Sequence, residues 1–294
     1  MDKPASLRLC VVQMAMRPAA SAEAFYARLE RFTAIAADYG AAAVLFPEYV
    51  TMPLAGVGGP LSASRAIEAL SAETETLRAR LSALAVRHQI TVFGGSHLAR
   101  DGEGQVRNTT HVALPDGSLF AQQKIQPTPD ERAVWGVEGG DRLATLDTPF
   151  GNAGVLICYD AEFPELTRHL VDQGAETLFV PYCTDSRHGH LRVTLCARAR
   201  AVENHVYVAT AGNVGVMEGV ENMDQQYAQS GVYTPCDTPF VRDGIAADCT
   251  ENVEMVAVAD LRPATLSWAR TEGAVRNLQD RRPDLYRVIW TGAA

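Results

Sequence analysis

The sequence predicts an α/β fold in which two mixed β-sheets pack face to face with helices on their outer sides. Three observations carry this. Short β-branched and apolar runs alternate with longer helical stretches through the first half of the chain. Two pairs of runs close on turn residues as hairpins, which brings antiparallel pairing into a βα pattern. The strands are also too numerous for one open sheet. No Ser/Pro/Gly-rich linker, charge block or repeat interrupts the pattern, so it reads as one domain.

Taken in order, LRLCVVQM (7–14) predicts a strand leading into an Ala-rich helix over 20–39, with Phe25, Leu29, Phe32 and Ile35 at helical spacing. AAVLFPE (42–48) is a second strand, stopped by Pro47 because proline donates no ladder hydrogen bond. One long helical segment over about 63–88 and a third strand, ITVFGGSHL (90–98), follow. The run 106–125 reads as a hairpin turning at Pro115-Asp116-Gly117. A second hairpin runs through LATLDTPFGNAGVLIC and turns at Phe150-Gly151-Asn152. A helix (164–173), a strand (177–182), a helix (190–204) and a strand (206–215) come next, and SGVYTP and VEMVAVADL are two more strands. The tail after them is rich in Arg and aromatics, suited to covering a partner subunit or packing on its own domain.

Composition removes several functional classes. The 294 residues, 47% hydrophobic, suffice for a large core. A net charge of −9 argues against nucleic acid and acidic membranes as partners, since both need clustered Lys and Arg. Cysteines at 10, 158, 183, 196, 236 and 249 form no CxxC pair and no metal-like spacing, so they read as reduced thiols of a cytoplasmic protein. The N-terminal MDKPASLRLCVVQM lacks a secretory core, and no run approaches the ~18 apolar residues of a membrane span.

Three reactive residues stand at strand ends. Glu48 follows AVLFP, Lys124 ends SLFAQQK, and Cys158 follows GVLI. Ligands of α/β sheets bind beyond strand ends, so the three can converge. A carboxylate, an ammonium and a thiol are the parts of nucleophilic acyl transfer: the carboxylate removes the thiol proton, and the ammonium stabilises thiolate and oxyanion. The backbone N–H of Tyr159 is a second oxyanion donor. Each alone has a plain structural reading: a buried small hydrophobe, a solvated turn residue, a blunted strand edge.

The ordered set FPE (46–48), Lys124 and CYDAEFPEL (158–166) resembles the nitrilase superfamily of carbon–nitrogen hydrolases. VVQM, GGS (94–96), RNT (107–109), RARAVEN (198–204), RDG (242–244) and VADL (258–261) are similar as well, so the resemblance spans roughly residues 7–261. It implies a four-layer αββα sandwich that forms dimers, with 1–262 as the hydrolase domain and 263–294 as a C-terminal extension. It also implies Glu48 as general base, Lys124 as oxyanion stabiliser and Cys158 as nucleophile, with no metal or organic cofactor. Members often carry a second glutamate between lysine and cysteine; Glu131, in the loop KIQPTPDERAVWG, is the candidate, with Asp130 and Glu138 as competitors.

Tyr159-Asp160 after the nucleophile is similar to amidases and carbamoylases, whereas nitrile-cleaving members tend to carry Trp-Glu. A small amide or N-carbamoyl compound is therefore the expected substrate, and a homodimer or higher homo-oligomer the expected assembly. Ala161-Glu162 and Gly189-His190 depart from common family patterns beside the pocket. Asp185, Arg187 and His188 are candidate substrate contacts, Arg187 because its planar fork suits a carboxylate. Arg200 and Glu203 read as helix or interface contacts, and Cys183, Cys196 and Cys236 as packing residues. The alternatives are a nitrilase or amide-forming acyltransferase on the same residues, a Cys–His hydrolase using His188 or His190, a metal site at His188-x-His190, and a catalytically silent scaffold.

Overall fold

The computed structural model describes residues 5–57, 59, 61–223 and 225–292, so residues 1–4 of the expected hydrolase domain and 293–294 of the expected extension lie outside the described residues. The strands are β1 (Leu7–Ala15), β2 (Ala43–Leu45), β3 (Thr91–Phe93), β4 (His97–Arg100), β5 (Val106–Ala113), β6 (Leu119–Gln123), β7 (Leu146–Thr148), β8 (Gly151–Val155), β9 (Thr177–Tyr182), β10 (Tyr207–Val216), β11 (Gln225–Gln226), β12 (Gly231–Tyr233), β13 (Ile245–Asp248) and β14 (Met255–Leu261). The helices are α1 (Ala22–Asp38), α2 (Met52–Ala55), α3 (Ala63–Ala72), α4 (Thr74–His88), α5 (Pro129–Val134), α6 (Pro164–Asp172), α7 (Arg187–Asn204) and α8 (Pro263–Glu272).

Strand β1 organises the fold. It pairs antiparallel with β14 and parallel with β2, and β3, β5 and β6 continue that sheet, with β4 beside β5. A second sheet runs β7–β8–β9–β10–β12–β13. The two join where the end of β1 meets β10, at Met14–Asn213 and Ala15–Val214.

Alternation along β1 explains the layers. Leu7, Leu9 and Val11 point into the space between the sheets, with Leu45, Phe93, Val155 and Phe179. The Phe93 and Phe179 rings stack across that space with centroids 3.6 Å apart. Cys10, Val12 and Met14 point the other way, onto Phe25, Leu29 and Phe32 of α1 and Leu77 and Leu81 of α4. Both faces of β1 are buried, so its sequence is a near-continuous apolar run. On the far side Leu170 of α6 and Val193, Ala197 and Ala201 of α7 cover the second sheet. Gly154 permits this closeness, because a Cβ there stands 2.8 Å from Leu170 Cδ1. Helices, sheet, sheet and helices form the expected four-layer αββα sandwich of two mixed β-sheets.

Several boundaries differ from the sequence reading. The segment 63–88 is two helices: α3 tightens at its end, where Glu73 N donates to Leu70 O at 2.9 Å, and the Glu73 carbonyl opens α4. Both halves share helical periodicity, so the break leaves no mark in the pattern. The run 90–98 is two strands separated at Gly94-Gly95-Ser96, and the second hairpin turns at Pro149-Phe150. Helix α7 begins at Arg187, capped by Ser186, whose hydroxyl accepts from Gly189 N at 3.3 Å. Helix α8 packs on its own chain: Arg270 donates to the His205 carbonyl at 2.8 Å and Tyr207 OH to the Arg262 carbonyl at 2.8 Å. No helix among the described residues is long and apolar enough to cross a membrane.

Candidate active site

Glu48 sits three residues beyond β2, on a loop pressed against the Gly94-Gly95-Ser96 connection. Tyr49 is held at a left-handed φ of 54°, with its N–H donating to Ser96 Oγ at 3.0 Å. Gly95 lets the two segments meet: its φ is +67°, and a Cβ there would lie 2.0 Å from the Pro47 carbonyl oxygen. Asn213, from β10, donates to the Glu48 carbonyl at 2.6 Å, so both sheets grip this loop.

Lys124 extends the β6 ladder by one rung, its N–H donating to the Asn108 carbonyl at 2.8 Å. Its side chain is 1% exposed. Nζ lies 2.8 Å from Glu48 Oε1 and 2.6 Å from Glu131 Oε2. Glu131 is not in a loop, as the sequence reading has it, but in the first turn of α5. Thr128 Oγ1 accepts from Glu131 N at 3.2 Å, and Glu131 Oε2 accepts from Thr128 N at 2.7 Å. The signature is present in Thr128-Pro129-Asp130-Glu131: a capping box with proline at the first helical position. One carboxylate therefore caps a helix and pairs with the buried ammonium.

Cys158 opens a 3-10 turn, Cys158–Glu162, at a left-handed φ of 51°, a strained conformation for a non-glycine residue. It is 5% exposed, and Sγ lies 3.8 Å from the Cys183 carbonyl oxygen. The thiol is close enough to Glu48 to act on its titration. Tyr159 is the second residue of the turn, so its N–H is one of the amides that lead it.

The electrostatics follow from burial of two carboxylates around one ammonium. Burial raises Glu48 to about 7, against the pull of Lys124 and with a push from Glu131. Burial acts on Glu131 in the same sense, but Lys124 and the hydrogen bonds from Lys124, Thr128 and Tyr49 outweigh it and hold it below the ordinary carboxylate value. Burial works against the Lys124 charge, yet Glu48 and then Glu131 keep it firmly protonated. The Cys158 thiol is pushed well up by burial and then by Glu48, and pulled down by Lys124. Glu48 is thus the group poised to gain or lose a proton near neutrality, beside a thiol that burial keeps protonated.

Glu48, Lys124, Glu131 and Cys158 lie together in one buried cluster. Asp185, Arg187 and His188 do not join them: they are exposed at the start of α7, and Asp185 accepts from Ser186 Oγ at 2.9 Å. His190 is buried against Tyr182, its Nδ1 3.2 Å from the hydroxyl, and burial followed by Arg187 lowers it to about 4. Among the described residues no group of three or more His, Cys, Asp or Glu is placed to hold a metal ion.

Sequence reasoning misses several members. Asn108 donates to Glu48 Oε1 at 2.9 Å and Glu131 Oε1 at 3.0 Å, and Tyr49 OH donates to Glu131. Cys183, read as packing, is half-buried at the site's edge and its thiol donates to Gln226 Oε1 at 2.8 Å. Outside the site, behind the Cys158 turn, Arg200 pairs with Glu203 and also donates to the carbonyls of Ala161 at 3.0 Å and Glu162 at 3.2 Å. RNT and RARAVEN mark Asn108 and Arg200 in the sequence without saying what they touch.

Comparison with known proteins identifies the family. The sequence model of the family described as carbon-nitrogen hydrolase matches residues 8–270. The probable hydrolase YhcX of Bacillus subtilis (strain 168) is 40% identical over 282 residues, covering 96% of this chain and 55% of that protein. This chain thus spans little more than half the length of that relative. Omega-amidase NIT2 of Xenopus tropicalis is 29% identical over 296 residues, covering 97% of this chain and 98% of its own. Among solved structures, an amidase from Nesterenkonia sp. matches with a TM-score of 0.75 at 26% identity, covering 96% of both chains.

Proposed function

The chain belongs to the carbon-nitrogen hydrolase family, and from that premise we propose that it hydrolyses a small amide or N-carbamoyl compound through a cysteine thioester. One observation carries the reading: a buried ammonium, Lys124, is held between the carboxylates of Glu48 and Glu131, with the Cys158 thiol in the field of all three. The curated and solved relatives named for amidase activity support the amide class.

In this mechanism Glu48 takes the Cys158 proton as sulfur attacks the amide carbon. The carbonyl π electrons move to oxygen, and the oxyanion is held by Lys124 and the Tyr159 N–H. As the tetrahedral intermediate collapses, Glu48 returns the proton to the departing nitrogen, and ammonia or an amine leaves. Glu48 then takes a proton from water attacking the thioester, and collapse expels the sulfur, which recovers a proton. A carboxyl poised at about 7 suits both halves, because it must act as base and as acid. Glu131 keeps the ammonium in place.

The same reading takes 1–262 as the hydrolase domain and 263–294 as an extension, and expects a cytoplasmic homodimer or higher homo-oligomer. Arg187, exposed at the start of α7 and not in contact with the buried four, is kept in this reading as an outer contact for the carboxylate of a carboxylate-bearing amide. The test is a panel of primary amides, N-carbamoyl compounds and ω-amidated dicarboxylates read by ammonia release, with Cys158→Ala as control. Turnover lost in a folded Cys158→Ala protein is the expected result. Turnover retained by Cys158→Ala removes the nucleophile, and silence of the wild type on the whole panel overturns the hydrolase reading in favour of the nitrilase, acyltransferase or scaffold alternatives.

A further inference from the structure

The turn that carries Cys158 belongs to no long helix or strand, so something must hold it against Lys124, which arrives from the other sheet. Asp160 lies at its centre and is 1% exposed. Its Oδ1 accepts from Gln126 N at 2.7 Å, and its Oδ2 from Ile125 N at 3.2 Å and Ile157 N at 3.1 Å. Ile125 and Gln126 directly follow Lys124, and Ile157 directly precedes Cys158. A single carboxylate is therefore bonded to the backbone beside both groups. Arg200 grips the opposite end of the turn through the Ala161 and Glu162 carbonyls and touches nothing on the lysine segment.

We propose that Asp160 is a positioning residue, a carboxylate strap between the lysine segment and the cysteine turn that keeps the ammonium and the sulfur in register. Its consequence for turnover rests on the roles given above to Lys124 and Cys158. Three converging N–H donors require an acceptor on both oxygens, which a carboxylate supplies and an amide does not. An asparagine here turns its NH₂ toward N–H groups and must release either Gln126 or the Ile125–Ile157 pair. Burial raises Asp160 to about 6, in spite of Lys124 and the three backbone donors.

The experiment compares wild type, Asp160→Asn, Asp160→Glu and Arg200→Lys. It measures kcat and KM on an amide from the panel, the rate of Cys158 alkylation by iodoacetamide followed by mass spectrometry, and the melting temperature. Asp160→Asn is expected to lower kcat by about 10- to 100-fold, the scale of an ångström-sized displacement of a catalytic group, with KM within about threefold. Alkylation at neutral pH slows with it, because a displaced ammonium no longer favours the thiolate. Asp160→Glu, which keeps both oxygens, falls between the two. Arg200→Lys loosens the turn without parting it from the lysine segment, so it lowers the melting temperature and leaves kcat within about threefold. Wild-type kcat and alkylation in Asp160→Asn overturn the strap, as does an Arg200→Lys protein with the Asp160→Asn behaviour. If Asp160→Asn does not fold, Asp160→Glu decides: lowered kcat at unchanged KM supports the strap, and wild-type kcat and alkylation overturn it. Alkylation needs no substrate, so a wrong amide class leaves that arm standing.

Discussion

Asn108 Nδ2 stands between Glu48 Oε1 at 2.9 Å and Glu131 Oε1 at 3.0 Å, bridging two carboxylates that both face Lys124. A neutral donor there separates like charges without adding one of its own. Asn108→Leu removes the bridge and leaves each carboxylate short of a buried partner, at a cost of about 1.5–3 kcal/mol for a hydrogen bond to a charged group. Lower thermal stability is expected together with a fall in kcat. Asn108→Asp does more damage, because a third buried carboxylate meets the other two; equal activity of the two variants would contradict the bridging role.

The protonation of Glu48 sets the acid side of the pH profile. Its value of about 7 lies above the ordinary 4.5, with burial as the leading cause. As the proposed base it must be ionised, so kcat/KM is expected to rise with pH along a limb centred at about 7. Stability moves oppositely. A raised folded-state pKa means the folded chain holds a proton that the unfolded chain has released, so this contribution is complete below about 4.5 and is lost as pH rises through about 7. The stability of wild type relative to Glu48→Gln should therefore decline across that window, followed by urea unfolding at several pH values. A limb near 4 in the kinetics would show that Glu48 is not the base.

The strand ends that hold Glu48, Lys124 and Cys158 were legible because apolar runs stop at Glu48 and Cys158, Lys124 closes the second strand of a hairpin, and a run buried on both faces, such as β1, announces itself. What pins the site was not. Asn108 and Tyr49 reach residues 60 and 82 positions away, and no local periodicity encodes such contacts. The left-handed φ of Cys158 is likewise set by its surroundings, since cysteine has no intrinsic preference for it. Helix α5 was within reach, its cap written in Thr128-Pro129-Asp130-Glu131, but six residues are too few for hydrophobic periodicity to register.

Gly95 gives a third prediction, on the link between backbone and chemistry. A methyl group there strains a φ of +67° and collides with the Pro47 carbonyl oxygen, one residue before Glu48. Gly95→Ala should lose about 1–3 kcal/mol from the strained conformation alone. The loop 46–50 has to move to relieve the collision, which carries Glu48 away from Lys124. A kcat deficit larger than that of Gly117→Ala, a glycine at φ +89° in the β5–β6 turn, at the opposite end of β6 from Lys124, separates displacement from general destabilisation.

The stacked rings of Phe93 and Phe179 join the sheets that carry the two halves of the site. Glu48 and Lys124 hang from the first sheet and Cys158 from the second, so the spacing of the sheets sets the spacing of the groups. The rings are parallel to within 13° and essentially unexposed. Phe93→Ala removes one of them and should cost about 3–5 kcal/mol in urea unfolding, from lost burial and the cavity left behind. Phe93→Leu fills most of that volume and should recover the larger part of the stability. Activity is the more telling measure: the cavity lets the sheets shift, so kcat of Phe93→Ala falls under conditions where the protein remains folded. A folded Phe93→Ala protein with wild-type kcat would mean that the loops, held by Asn213 and Asp160, fix the site independently of the sheets beneath them.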